Sequence, residues 1–287
     1  MRLQPNDVKS TEVFGWQGLH LFHAHASSCS QKVRMVMNWK GIGYTSHPID
    51  ISANENISAF YLGINPRGLV PTLVHDGDVH IESNDIITLL EEFYPDKPLI
   101  PADMADQISE LLRHEDDLHL DLRTLSFRFL LAPTEPPKSA EDLERYATLG
   151  SGTVGGEADD HLAVEIAFWR SFAESGISDE AARVSAARFR KAFDGLDARL
   201  ADQPYFLGTE LSVLDIAWLV YVHRLRLSGY PIERLHPNLA RWTDELSQHE
   251  AFRNELALPP HILEHVAQRR EALVRGKGTM IDICDLG

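Results

Sequence analysis

Over the first hundred positions apolar residues come in short runs broken by turn residues, and beyond that they recur mostly at helical spacing. Residues 19–22, Leu-His-Leu-Phe, read as a first strand. Val33, Val36 and Met37 then share one face of a helix predicted over 30–40, which Gly41 and Gly43 end. Alternation over 44–51 predicts a second strand, and 54–63 a short helical segment. Residues 72–75 and 79–81 flank Asp76-Gly77-Asp78, a signal for a tight antiparallel hairpin. An amphipathic helix over 85–94 completes the order βαβαββα, that of a small α/β unit of thioredoxin-like type.

The Pro-rich stretch 94–101 marks a domain boundary, and almost no alternation follows it. Ile108, Leu111, Leu112, Glu115, Leu118 and Leu122 set the face of one long helix expected over 104–131, which the Pro-rich run 133–137 stops. Residues 132–158 are Pro-rich and then Gly-rich. Ordinary connections take about 4–6 residues, so this segment is expected to be disordered or functional. Further helices are predicted over 160–175, 179–201 and 238–258. In Leu211-Ser212-Val-Leu-Asp215-Ile216, Ser212 and Asp215 have the spacing of a capping box, and Leu211 can staple onto Ile216. The expected organisation is an extension over 1–18, an α/β domain over 19–95, an all-helical domain over 102–258 that contains the 132–158 insertion, and a tail over 259–287 with two apolar patches.

At 287 residues and 44% hydrophobic content, the chain can build two cores. No window approaches the ~18 consecutive apolar residues of a membrane span, and the first residues lack the apolar core of a secretory signal. The cytoplasm is therefore the expected compartment. A formal charge of −16 argues against nucleic acid and anionic membranes as partners. Cys29 and Cys284 stand at opposite ends of the chain, so no disulfide framework is expected.

Candidate chemistry starts at Ser27-Ser28-Cys29-Ser30, where a strand runs into a helix. Unpaired N–H groups and the positive dipole end of a helix favour an anion there, and lower a thiol from its free pKa of ~8.5. Ser27 and Ser28 can supply hydroxyl donors beside Cys29. Val70-Pro71 suits an extended peptide laid along a sheet edge, if a cis bond turns the N–H and C=O of Val70 outward. Glu82-Ser83 sits at another strand-to-helix turn, where Ser83 can hold a carboxylate and Glu82 can accept from an ammonium. His23 and His25 read as partly exposed residues at a strand end. His114 to His119, with Asp121, reads as a solvated acidic helix face, so no metal site is expected.

Three motifs in order, Ser27-Ser-Cys-Ser30, Asn65-Pro-Arg-Gly-Leu-Val-Pro71 and Ile81-Glu-Ser-Asn-Asp85, together resemble the glutathione-binding domain of the cytosolic glutathione transferase superfamily. The first is similar to the zeta class, the maleylacetoacetate isomerases, and to reductive dehalogenases of chlorinated hydroquinones. The resemblance covers about residues 19–258. It implies the glutathione transferase fold, glutathione as cofactor, an electrophilic small molecule as substrate and a homodimer. It further implies an activating role for Ser27 (or Ser28), a second functional position at Cys29, and contacts to the tripeptide from Val70, Pro71, Glu82 and Ser83. Gln31-Lys32 depart from the zeta pattern, and residues 54–63 offer no Lys or Gln for the glycyl carboxylate. Two other readings remain open: a non-catalytic scaffold of the same fold, and a thiol-disulfide oxidoreductase using Cys29 alone.

Overall fold

In the computed structural model, which describes residues 1–133 and 135–287, the chain forms two compact units. One comprises residues 1–95 and 134–176, the other 96–133 and 177–287.

The first unit is built on strands β1 (Leu19–His23), β2 (Thr45–Pro48), β3 (Thr72–His75) and β4 (Asp78–His80) in the order β2-β1-β3-β4. β2 runs parallel to β1, and the other pairs are antiparallel. β3 and β4 pair through His75 and Asp78, leaving Asp76-Gly77 as a two-residue turn with φ of 48° and 87°. Such turns need two positive φ values, which suits Asp-Gly. Helices α1 (Ser28–Lys40), α2 (Ala59–Ile64) and α3 (Ser83–Phe93) complete the expected βαβαββα order.

Strand alternation sends Leu21 and Leu73 to one side of the sheet and Phe22 and Val74 to the other. Phe22, Val74 and Val79 share a core with Leu3, Val8 and Val13 of the N-terminal extension. That extension is part of the unit: Leu3 N–H donates to Val79 C=O at 2.9 Å, and Ser10 N–H to Gly63 C=O at 2.9 Å.

The 132–158 segment departs from expectation in two ways. Of it, Thr134 lies outside the described residues. The stretch 135–158 is neither a plain loop nor grouped with the helical domain. It forms α6 (Ala140–Leu149), followed by the two-residue strands β5 (Thr153–Val154) and β6 (Glu157–Ala158), and runs on into α7 (His161–Ser175). A Ser139–Asp142 capping box opens α6. Val154 enters the sheet core, and Tyr146, Leu162 and Ile166 pack with Ile57 and Leu62.

The second unit is helical. The long helix expected over 104–131 is interrupted: α4 (Ala105–Asp116) and α5 (His119–Leu125) are separated by a tightened turn at 117–118, and Ser126–Leu131 continues as π-helix. The apolar face survives the break, because Ile108, Leu112, Leu118, Leu122, Leu125 and Phe129 are all buried. Glu115 is buried with them, and His114, Asp116 and Asp117 are exposed as a solvated acidic face requires, so only Asp121, which is buried, departs from that reading. Asp121 accepts from Ser185 Oγ at 2.7 Å and pairs with Arg188 at 2.8 Å.

α8 (Asp179–Arg199), α9 (Val213–Leu227), α10 (Ile232–Leu235), α11 (Pro237–Ser247) and α12 (Arg253–Leu256) follow. α9 is buried along most of its length and packs on α4, α5 and α11. The tail is helical too, as α13 (Pro260–Arg275) and α14 (Met280–Ile283), and it buries Met280, Cys284 and Leu286. Among the described residues no helix is long and apolar enough to cross a membrane.

Candidate active site at two helix N-termini

α1 begins two residues earlier than its apolar periodicity predicts, because a hydroxyl caps it. Ser27, at φ −72° and ψ 124°, is the N-cap, and its Oγ accepts from Ser30 N–H at 3.3 Å. The cap uses only a lone pair of the hydroxyl. Its proton is still able to point at an anion beyond the helix end. Ser28 and Cys29 occupy the first turn, Ser28 buried and Cys29 half-buried. Both cysteines are outside any disulfide. Burial pushes the Cys284 thiol up to about 11, so at neutral pH it stays protonated and unreactive.

The loop from β1 into α1 is propped from beneath by Arg34, whose side chain reaches back from α1. It donates to Ala24 C=O at 3.1 Å and to His25 C=O at 2.9 Å, and its Nη1 lies 3.2 Å from His23 Nδ1. A guanidinium can only donate, so His23 Nδ1 accepts and Nε2 is left to donate to Ser46 Oγ at 2.8 Å. His23 is therefore buried, not the partly exposed residue expected, while His25 is exposed.

The Val70–Pro71 bond is cis, as the sequence reading requires for that motif. The loop leading to it is braced from inside. Asn65 Nδ2 donates to Leu69 C=O at 2.9 Å and to Thr72 Oγ1 at 3.0 Å, while Tyr61 Oη donates to the same Leu69 carbonyl at 2.6 Å. With its inner polar groups satisfied in this way, the loop can keep the backbone of Val70 for a ligand.

Ser83 is the first residue of α3 and is buried, and Glu82 precedes it as N-cap. Glu82 adopts φ 67° and ψ 117°, backbone that a residue with a Cβ rarely takes and that clusters at functional sites. Its side chain is 32% exposed, and Oε1 accepts from Arg67 Nη1. Lys32 Nζ donates to Asn84 Oδ1 at 2.8 Å, tying α1 to the first turn of α3. Gln31 and Lys32 are both buried. The sequence-predicted residues thus sit on two helix N-termini and one loop of a single unit.

Sequence reasoning missed Arg67, Asp159, Tyr146 and Lys138. Arg67 has a nearly buried side chain, at 5% exposure, and its Nε donates to Asp159 Oδ2 at 2.9 Å. Tyr146 Oη donates to the Arg67 carbonyl. Lys138, also buried, places its Nζ 2.8 Å from Asn54 Oδ1, bringing a cation to the segment 54–63 that carries none of its own. Arg67 lies inside a motif and could have been flagged. Its partner, 92 residues away, carries no local signal.

Two family models match the chain: the glutathione S-transferase N-terminal domain over residues 21–98 and the glutathione S-transferase C-terminal domain over 178–245. A tetrachloro-p-hydroquinone reductive dehalogenase of Sphingobium chlorophenolicum is 28% identical over 254 residues, 83% of this chain and 96% of that protein. A zeta-class glutathione S-transferase of Euphorbia esula is 42% identical over 101 residues, 35% of this chain and 41% of that protein. Among solved structures, the beta-etherase of Sphingobium sp. strain SYK-6 superimposes with a TM-score of 0.70 at 23% identity, over 83% of this chain and 98% of that one.

Proposed function

Because the chain belongs to the cytosolic glutathione transferase superfamily and is an enzyme of the glutathione transferase type, we propose that it turns a glutathione thiolate on an electrophilic small molecule, with Ser27 activating and Cys29 resolving. The observation that carries this reading is Ser27 as N-cap of α1, with Ser28 and Cys29 in the turn it opens.

Glutathione supplies the nucleophilic sulfur. Lowering a thiol from ~8.5 to ~6.5 needs about 2.7 kcal/mol of differential stabilisation. A helix N-terminus with one or two hydroxyl donors supplies that order of magnitude. Ser27 lends its proton to the thiolate while its lone pair keeps the cap. The residues fit the rest of the tripeptide. The Val70 backbone offers a strand-like edge, the α3 N-terminus at Ser83 suits a carboxylate, and Glu82 suits an ammonium.

Cys29 takes a separate part. Its thiolate attacks the sulfur of a glutathionyl adduct, and the carbon–sulfur bond breaks to leave a Cys29–glutathione mixed disulfide. The electron pair of that bond goes to carbon, which is then protonated. A second glutathione thiolate releases Cys29 and forms glutathione disulfide. The name of the dehalogenase relative, which aligns over most of both chains, favours this reductive form over simple conjugation or isomerisation.

The test is a pH–rate profile for each variant with a generic electrophile. Ser27→Ala is expected to slow conjugation at neutral pH and to recover part of the rate at high pH, where hydroxide supplies the thiolate. Cys29→Ser should leave conjugation nearly intact and stall reductive turnover after one cycle, with a glutathionyl product accumulating. If Cys29→Ser abolishes conjugation while Ser27→Ala changes nothing at any pH, the serine assignment is wrong.

A further inference from the structure

Glu82 does not stand alone. Arg67 lies between two carboxylates, with Nη1 donating to Glu82 and both Nε and Nη2 donating to Asp159 Oδ2. Glu82 comes from the strand-to-helix turn before α3, but Asp159 stands at the end of the inserted segment, one residue past its 132–158 bounds and immediately after β6. The other oxygen of Asp159 accepts from His161 N–H at 3.2 Å and lies 3.1 Å from His161 Nδ1. Burial would raise the Asp159 carboxyl, but the bonds and charge of Arg67 outweigh it and hold the group below the usual carboxylate range. Asp159 is thus an anion wherever the enzyme works.

The consequence is one of charge. A Glu82–Arg67 pair is neutral, and a neutral pair attracts an ammonium only weakly. Asp159 returns the triad to a net charge of −1, while Glu82, at 32% exposure, is its most accessible member. The same segment fixes the backbone that carries Arg67. Tyr146 Oη donates to the Arg67 carbonyl, and Ser151 N–H donates to the Pro66 carbonyl at 3.3 Å.

We propose that Asp159 is a positioning residue by which the inserted segment orients Arg67, keeps the Glu82 subsite anionic, and so selects the α-ammonium of the γ-glutamyl group. This rests on the reading that the chain binds glutathione. A mere anchor for the insertion would be indifferent to that ammonium, which gives the test its readout.

KM and kcat are measured for wild type, Asp159→Asn and Asp159→Glu at pH 8. Two thiol substrates are compared: glutathione, and glutaryl-cysteinyl-glycine, which lacks only the α-amino group. Asp159→Asn should raise KM for glutathione about fivefold or more, the order expected for one charge lost at second-neighbour distance. Its kcat should stay within about twofold, KM for the des-amino thiol should be unchanged, and Asp159→Glu should restore most of the difference.

Equal rises in both KM values, or no rise in either, overturn the proposal and leave Asp159 a structural tie. The ratio of the two KM values does not depend on how much of a preparation is folded. Should Asp159→Asn not fold at all, Arg67→Gln carries the test with the opposite sign, since it leaves Glu82 unneutralised and must not reduce the preference for glutathione over its des-amino analogue. Failure of wild type to bind glutathione by calorimetry overturns the parent reading and this one together. Glutathione binding with an unmoved ratio overturns this one alone.

Discussion

Asn65, Arg67 and Gly68 lie within four consecutive residues, and each serves a different contact. Asn65 braces the loop from inside, Arg67 reaches across to Glu82 and Asp159, and Gly68 accepts from Asn56 Nδ2 at 2.8 Å. Gly68 has φ +62°, and a Cβ there would lie 2.9 Å from a ring carbon of Tyr146 and 3.0 Å from the Asn56 carbonyl oxygen. The backbone and the close approach both require glycine. Gly68→Ala is therefore expected to destabilise the protein by about 1–3 kcal/mol, read as a lower urea midpoint with an unchanged slope. At this scale the sequence showed the residues that act through their own neighbours. Ser27 was placed beside a helix start but not read as its cap, and the cis Val70–Pro71 bond rested on proline reaching cis cheaply within a recognisable motif. The Arg67–Asp159 pair has no such signal, because nothing within a few residues of Asp159 tells it apart from any other loop acid.

Elements were legible where their signals are local. The two-residue hairpin between β3 and β4 and the capping box of α9 both rest on contacts only two or three residues apart. Continuity was harder to read, since one apolar face runs unbroken from Ile108 to Phe129 while the backbone tightens at 117–118 and loosens beyond 126. Hydrophobic period reports which face is buried, not whether the helix is regular. The inserted segment hid α6 because prolines and glycines at its ends outweighed the period of Leu143 and Tyr146 between them. For the α9 cap the structure raises the stakes beyond an ordinary N-cap. Asp215 accepts from Ser212 N–H, Ser212 Oγ, Phe206 N–H and Trp242 Nε1, and it is fully buried. Removing it would strand four donors at once. Asp215→Ala should cost about 3 kcal/mol or more, above the ~1 kcal/mol of a surface cap. Chemical denaturation measures the loss, and calorimetry on the protein that remains folded should show glutathione affinity unchanged. A fall in affinity without a fall in stability would place Asp215 in the site instead.

At the scale of the whole molecule, the excess of 43 acidic over 27 basic residues suggests tolerance of acid, since protonation discharges a repelling surface. The histidines that burial lowers argue the other way. His223 in α9 is lowered to about 4 by burial and by Arg224 and Arg226 beside it. Folded, the ring stays neutral down to about 4, whereas in the unfolded chain it takes a proton near ~6.5. A depressed pKa gives stability that is present above ~6.5 and lost as pH falls toward 4, because the unfolded state then binds more protons. Asp215, raised by burial, has the opposite sign: its contribution is present below the unfolded carboxylate pKa and is lost as pH rises. The net slope of the protein mixes both, so the difference between wild type and variant is the quantity to read. His223→Asn removes the titrating ring. Wild type should lose up to about 3 kcal/mol more than the variant between pH 6.5 and 4, the integral of a shift of roughly 2.5 pKa units. Urea midpoints at pH 7.5, 5.5 and 4.5 measure it. Parallel curves for the two proteins would mean that His223 is already solvated in the folded state.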